Sequence, residues 1–343
     1  MSNTEAIGPL ELRAKVEQWP LTRSFRISGY TFEKIDVLFV ELEKSGCVGR
    51  GEAAGVYYKG DSPVRMLEEV KRCASILEGG FTDETLRGML SSDGARNAVD
   101  CALWDLRAKL TGRPVWEIAG LDAPRPLLTT FGCGAESPEE MTKVARSYQG
   151  ARAIKLKLTG EDVDADRVRA VREGCPDVWL AVDANQGFTR PFLEKLMPVL
   201  TDARVSLIEQ PFCVGQEDLL DGFHSPIPIA ADESVQHPSD IQALATRFNV
   251  INIKLDKSGG LTDALAMARM ARDLGLETMV GNMIGTSLAM APAILVGQLC
   301  SVVDLDGPLF LKNDRVETVQ YCEGMVRLPE GSWGDPKGSA ARG

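Results

Sequence analysis

The sequence predicts an α/β protein: a (β/α)-barrel carrying a smaller α+β domain at its N-terminus. Two observations predict it. After residue 125, eight short apolar runs start roughly 20 to 28 residues apart, with helical stretches between them. Before that point, strand-like alternation gives way to helical periodicity, the order expected of an α+β unit. A chain of 343 residues accommodates both. The expected boundaries are 1–124 for the N-terminal domain and 125–311 for the barrel, with a tail from about 312 to 343 packing back on the N-terminal domain.

In chain order, TFEKIDVLFVELEKSGCVGRGEA reads as two strands joined by a turn at Ser45–Gly46. DSPVRMLEEVKRCASILEGG opens on an Asp/Ser-Pro start and closes on Gly-Gly, which marks a helix. GARNAVDCALWDLRAKLTG keeps apolar residues three and four apart and ends at Gly112. The barrel strands expected are 127–132, 153–158, 179–185, 206–211, 228–234, 250–257, 277–283 and 301–307, with seven helical segments between them. A doubly wound sheet gives a similar alternation; the chemistry at the strand ends favours the barrel. The tail LPEGSWGDPKGSAARG is Gly/Pro-rich and expected to be loosely ordered.

Composition narrows the function. About 44% hydrophobic and 25% charged residues suit a soluble globular protein. A net charge of −11 argues against a nucleic-acid surface, which needs clustered Lys and Arg. No run of 18 apolar residues exists, so no membrane span is expected. The N-terminus lacks the apolar core of a signal peptide, and the eight cysteines follow no framework spacing. A cytoplasmic protein with free thiols is expected.

In a barrel, residues at the C-terminal ends of the strands face the active site. Those ends carry Lys155 and Lys157, Asp183, Glu209, Asp232, Lys254, and Asp304 with Asp306. Interior strand positions are otherwise Val, Ile, Leu and Ala, and stability alone does not collect charge at one end of successive strands. Asp183, Glu209 and Asp232 come from three successive strands, and converging carboxylates repel unless a cation neutralises them or one is protonated. An all-oxygen set without His or Cys favours Mg²⁺ over Zn²⁺. Each aspartate alone reads equally as a helix cap or a surface charge; the three in register read as a metal site.

Lys157 and Lys254 lie on strands two and six, four apart around a closed barrel, so they are expected to face each other across its mouth. Such a pair removes a proton from one side of a carbon and returns one from the other. Lys155 points to the same side as Lys157. At about 6.5 Å and an effective dielectric near 20, their repulsion is roughly 2.5 kcal/mol, which would favour Lys157 as a base. The competing reading is a pair of edge-strand lysines that discourages aggregation.

The KxK motif (Lys155, Lys157), VDAN (182–185), IEQP (208–211), ADES (231–234) and IKLDKSGG (253–260) resemble the enolase superfamily, whose sites combine a Lys or His base with Mg²⁺. Within it they look like the muconate-lactonising subgroup, and ARNAVDCALWDL, INIKLDKSGGLTDAL and DLDGP are similar to dipeptide epimerases of the L-Ala-D/L-Glu type. The resemblance implies a modified TIM barrel with an N-terminal capping domain, and one Mg²⁺ held by Asp183, Glu209 and Asp232. It implies a 1,1-proton transfer through an ene-diolate by Lys157 and Lys254 at the α-carbon of a dipeptide's C-terminal residue. Lys155 would touch the substrate carboxylate, and Asp304 and Asp306 would grip the α-ammonium. Thr130, Asn282 and Ile284 would line the pocket. His224 and His237 read as surface or capping residues, since a His base is expected near the seventh strand and ETMVGNM has none.

In the Ala-Glu type, an arginine from an N-terminal-domain loop pairs with the substrate glutamate. In SFRISGYTFEKID the best-matching position is Phe32, with Arg23 and Arg26 out of register. A hydrophobic substrate residue is compatible with Phe32, and a cationic one with Glu33. Rivals on the same scaffold are o-succinylbenzoate synthase and muconate cycloisomerase, whose substrates carry no ammonium for Asp304 and Asp306. A Schiff-base aldolase using Lys254 has no need of three carboxylates, and a non-catalytic binding barrel has no reason to bury two lysines. The partner expected is a small molecule; homo-oligomers are compatible with the class.

Overall fold

A computed structural model describes residues 7–91 and 93–337. It has the architecture that the sequence predicts. Strands β1 (Glu11–Ile27), β2 (Tyr30–Lys44) and β3 (Cys47–Ala53) form an antiparallel sheet in that order. The β2–β3 turn falls at Ser45 and Gly46, both with positive φ (51° and 76°), as a tight hairpin requires. Helix α1 (Pro63–Gly79) starts at Ser62, whose side chain accepts from the Arg65 amide, and Pro63 follows where its missing N–H costs nothing. A short helix α2 (Asp83–Met89), which the sequence analysis did not anticipate, precedes α3 (Asp93–Thr111). Helices α1 and α3 bury Leu77, Leu103 and Leu106 against Leu38, Val40 and Leu42 of β2.

The barrel differs from expectation at its first strand. Leu127–Leu128 forms β4, which leaves the barrel to pair with the tail, and Phe131–Cys133 forms the first barrel strand, β5. The remaining barrel strands are β6 (Ala153–Lys157), β7 (Trp179–Asp183), β8 (Val205–Glu209), β9 (Ile229–Ala231), β10 (Val250–Ile253), β11 (Glu277–Val280) and β12 (Val302–Val303). They pair in sequence order, all parallel. The sheet curls until its ends meet: the Thr130 amide donates to the Val303 carbonyl at 2.9 Å. Six of the connections carry an α-helix; the fourth, between β8 and β9, holds only a 3₁₀ turn at Glu217–Leu220. Its sequence, FCVGQEDLLDGFHSP, is broken by Gly215, Gly222 and Pro226 before a helix can propagate.

The tail is more ordered than its composition suggests. Strands β13 (Gln320–Cys322) and β14 (Met325–Arg327) extend β4, and Trp333 is buried with Nε1 donating to the Arg50 carbonyl. Arg315 pairs with Glu17 and Glu52 of the N-terminal sheet. Residues 338–343 lie outside the described residues. Among the described residues, no helix is long and apolar enough to cross a membrane.

Inside the barrel, period two sorts the side chains into layers. Ala181, Leu207, Ala230, Val250 and Met279 pack together as an apolar floor. Two residues further along four of these strands stand Asp183, Glu209, Asp232 and Asn252, on the same inward face. The charged layer is the next step of the pleat.

Candidate active site

Four lysines meet the carboxylates of this layer. Lys157 Nζ lies 2.5 Å from Asp183 Oδ2. Lys254 Nζ lies 2.6 Å from Asp232 Oδ2, and Lys257 Nζ lies 2.6 Å from Asp232 Oδ1. Lys155 Nζ pairs with Asp304 and also reaches Glu209 Oε2 at 3.2 Å and Asp183 Oδ2 at 3.6 Å. Glu209 Oε1 accepts from Asn252 Nδ2 at 2.7 Å. Lys257 and Asn252 were not singled out from the sequence. Asn252 had a legible signal, a polar residue on the inward face of a buried strand two positions before Lys254.

The environment of Lys155 corrects one expectation. Burial opposes its charge, yet Asp304, Glu209 and Asp183 together hold its pKa well above the ordinary lysine value. Its charge is therefore bound up with carboxylates, and repulsion of Lys157 is not its main interaction. Burial also opposes the charge of Asp232, but Lys254 and Lys257 hold its carboxyl well below the usual range. Glu209 goes the other way: burial and the neighbouring Asp183 charge push it up to about 8. Burial and Asp232 push Glu233 up to about 7.

These shifts test the donor set for a cation. Acidic groups that converge until one is driven toward its neutral form are short of positive charge. Asp183 Oδ2 and Glu209 Oε2 share the Lys155 ammonium, at 3.6 and 3.2 Å, and Asp183 also has Lys157. Glu233 Oε2 and Asn185 Oδ1 are buried without a hydrogen-bond partner. An all-oxygen set of this kind fits a hard divalent ion. As the side chains stand, each carboxylate is turned to a lysine, and among the described residues no three acidic, His or Cys side chains are gathered in ligating positions.

Strands β6 and β10 are four apart in the eight-strand order, and Lys157 and Lys254 at their ends both line one cavity of about 250 Å³. Its floor also includes Asn185, Glu233, Asn282 and Ile284. Its roof is the β1–β2 hairpin with Tyr57 and Tyr58. The hairpin tip is docked on the barrel: the Ala135 amide donates to the Arg26 carbonyl at 3.0 Å. Phe32 lines the cavity, half-buried. Arg23 and Arg26 are exposed and do not line it, and neither does Glu33, exposed on the other face of β2.

Four expected substrate-contacting residues, Lys155, Thr130, Asp304 and Asp306, are placed beside the cavity and not in its lining. Asp304 accepts from Lys155 and Thr130, so both of its oxygens are engaged. Thr130 precedes β5 where the sequence analysis put it at a strand end, and it is buried under Asp304. Asp306 accepts from the Gly132 amide at 2.6 Å, and Asn282 Nδ2 donates to the Asp304 carbonyl at 2.6 Å. Among the described residues no ammonium or guanidinium group pairs with Asp306. His237 caps the helix Pro238–Leu244, its amide donating to Asp240 Oδ2 at 2.9 Å, and His224 sits in a loop.

Helix α3 braces the loop that carries Lys254. Arg96 Nη2 donates to the Ser258 carbonyl at 3.1 Å. Asp100 accepts from the Thr262 amide at 3.0 Å and from its hydroxyl at 2.6 Å. Gly259 and Gly260 have φ of 84° and 117°, and a Cβ on either would lie within 2.5 Å of Arg96 or Asp100 side-chain atoms. The stretches ARNAVD and KSGG are thus the two halves of one contact.

Comparison with known proteins agrees with this geometry. Residues 10–120 match the mandelate racemase / muconate lactonizing enzyme N-terminal domain, and residues 139–332 match the enolase C-terminal domain-like family. The chain is 36% identical over 314 residues to the L-Ala-D/L-Glu epimerase of Escherichia coli, covering 91% of this chain and 98% of that protein. A crystal structure of an enolase family member from Agrobacterium tumefaciens, with bound sodium and L-Ala-L-Glu, superposes with a TM-score of 0.90 at 37% identity, covering 94% and 98% of the two chains. The dipeptide epimerase of Methylococcus capsulatus, complexed with Mg and L-Arg-D-Lys, superposes with a TM-score of 0.87 at 31% identity, covering 94% and 98%.

Proposed function

Because the chain belongs to the mandelate racemase / muconate lactonizing enzyme family of the enolase superfamily, we propose that it is a Mg²⁺-dependent dipeptide epimerase. The reaction is inversion of the α-carbon of the C-terminal residue by two-base proton transfer. The observation that carries this reading is the pair Lys157 and Lys254, on strands four apart and lining one cavity above a layer of carboxylates.

Asp183, Glu209 and Asp232 would hold the Mg²⁺, which when bound supplies positive charge to the substrate carboxylate as the α-proton leaves. Lys157 and Lys254 would then be released from Asp183 and Asp232, one neutral to accept the α-proton, the other protonated to deliver one to the opposite face. Lys155, paired with Asp304 and Glu209 beside the cavity, would contact the substrate carboxylate. Asn282 and Ile284 border the substrate. Asp306, with which no cation pairs among the described residues, would take the substrate's ammonium group, with Asp304, held by Lys155 and Thr130, as a second acidic group beside it.

The test is incubation with a set of dipeptides and Mg²⁺ in D₂O. Deuterium entering the C-terminal α-carbon, and lost on chelation of the metal, is the expected result. No exchange with any dipeptide, or borohydride trapping of a substrate on Lys254, overturns the proposal.

A further inference from the structure

The cavity roof is built largely of apolar side chains. In the β1–β2 ladder Phe25 is directly opposite Phe32, and Ile27 is opposite Tyr30, so these side chains share a face. Phe25 and Ile27 are buried on that face, and both line the cavity with Phe32. Phe32 meets Tyr57 edge to face, with ring centroids 5.3 Å apart at 73°. Ile35, Ile284 and Ala54 complete one contiguous apolar cluster spanning the hairpin and the loop after β11.

The charged groups of the lining do not offer a partner for a carboxylate side chain. Among the described residues, Lys34 is its one cation besides Lys157 and Lys254. It is more than half exposed and stands 4.0 Å from Asp36, which also lines the cavity together with Asp61. Among the described residues, no arginine lines the cavity. An acidic side chain brought here would be desolvated among carboxylates without a matching guanidinium, whereas an apolar one gains contact along the whole wall.

We propose that the residue inverted is apolar, an aliphatic or aromatic amino acid whose side chain packs on Phe25, Ile27, Phe32, Ile35, Tyr57 and Ile284. This rests on the epimerase reading above and specifies its substrate. Phe32 is the specificity-determining position in this proposal, a half-buried ring of the lining that lies opposite Phe25 in the ladder and edge to face with Tyr57.

The experiment measures kcat/KM for L-Ala-L-Leu, L-Ala-L-Phe, L-Ala-L-Glu and L-Lys-L-Arg with the Mg²⁺-loaded enzyme. Leu or Phe dipeptides at least tenfold better than both others is the expected result. A Glu or Arg dipeptide in first place overturns the inference and leaves the epimerase reading intact; exchange with none of the four sinks that reading itself. Phe32→Ala should raise KM for L-Ala-L-Leu fivefold or more with kcat little changed, and Phe32→Arg should move preference toward L-Ala-L-Glu. If both variants fold, judged by an unchanged circular dichroism spectrum, and neither alters the ranking or KM, the assignment of Phe32 is wrong.

Discussion

Lys155 on strand β6 and Asp304 after strand β12 are ion-paired inside the barrel, both almost fully buried. The ammonium also serves Glu209 and Asp183, so one side chain holds together charge from four strands. A buried pair broken from one side leaves an uncompensated charge in low dielectric, which costs about 3–5 kcal/mol. Lys155→Met should therefore lower stability at pH 7 by that order. If Asp183 and Glu209 hold Mg²⁺, the ion would restore positive charge beside them, and added Mg²⁺ should raise the melting temperature more in this variant than in the parent. Thermal denaturation with and without the metal measures both, and an equal shift in the two proteins would show that the ion does not bind beside these carboxylates.

Asp306 sets a pH dependence. Burial first, then the negative charge of Asp304, pushes its carboxyl up to about 7, against the hydrogen bond from the Gly132 amide. A substrate ammonium binds the ionised form. The folded pKa is raised, so the carboxylate is present above about pH 7 and lost below it. Dipeptide affinity should fall about tenfold per pH unit on the acid side of about pH 7, and decline again from about pH 8, where the substrate's own α-ammonium deprotonates. Calorimetric titration from pH 5 to 8 reads this directly. A dipeptide acetylated at its amino terminus should bind without that slope, and an identical slope for both ligands would remove Asp306 from the role.

The two lysines predict a stereochemical asymmetry. If each serves one face of the α-carbon, Lys157→Ala should abolish α-deuterium exchange from one epimer and Lys254→Ala from the other, each by about a hundredfold or more. Exchange followed by mass spectrometry from separately prepared L,L and L,D dipeptides distinguishes this from a one-base mechanism. Loss of exchange from the same epimer in both variants would place the lysines on the same side.

What the sequence makes legible here follows from local periodicity. The Ser45–Gly46 turn, the start of α1 at Ser62 and the inward carboxylates of β7 and β8 each depend on residues within a few positions of one another. What stays hidden depends on closure of the barrel. Asp304 looks free in DLDGP because its partners Lys155 and Thr130 arrive from strands far back in the chain. The same holds for Thr130, whose neighbours Leu127 and Leu128 are drawn off to pair with β14. Tyr57 is hidden for a different reason: GVYYKG reads as a connecting loop, and only the docking of the hairpin makes its ring a wall of the cavity.

The bracing of the Lys254 loop by α3 yields the last prediction. A Cβ on residue 260 would stand 2.4 Å from Asp100 Oδ2, at a φ of 117° that L side chains rarely adopt. The overlap cannot be relieved cheaply, because Asp100 is held by the Thr262 amide and hydroxyl, and Thr262 is held in turn by Trp104 Nε1 at 2.9 Å. Gly260→Ala should cost about 2 kcal/mol or more, from steric overlap and backbone strain together. It should also lower kcat, since Lys254 and Lys257 lie just upstream of the displaced turn. Asp100→Ala in the same chain removes the contacts with Oδ2 and Cγ but leaves the Asp100 Cβ 2.6 Å from the new Cβ, and the strained φ with it, so the double variant should cost less than the sum of the two single changes. Urea denaturation of the four proteins, with kcat on the same samples, measures the coupling. Strict additivity would mean that α3 and the turn do not press on each other at this point.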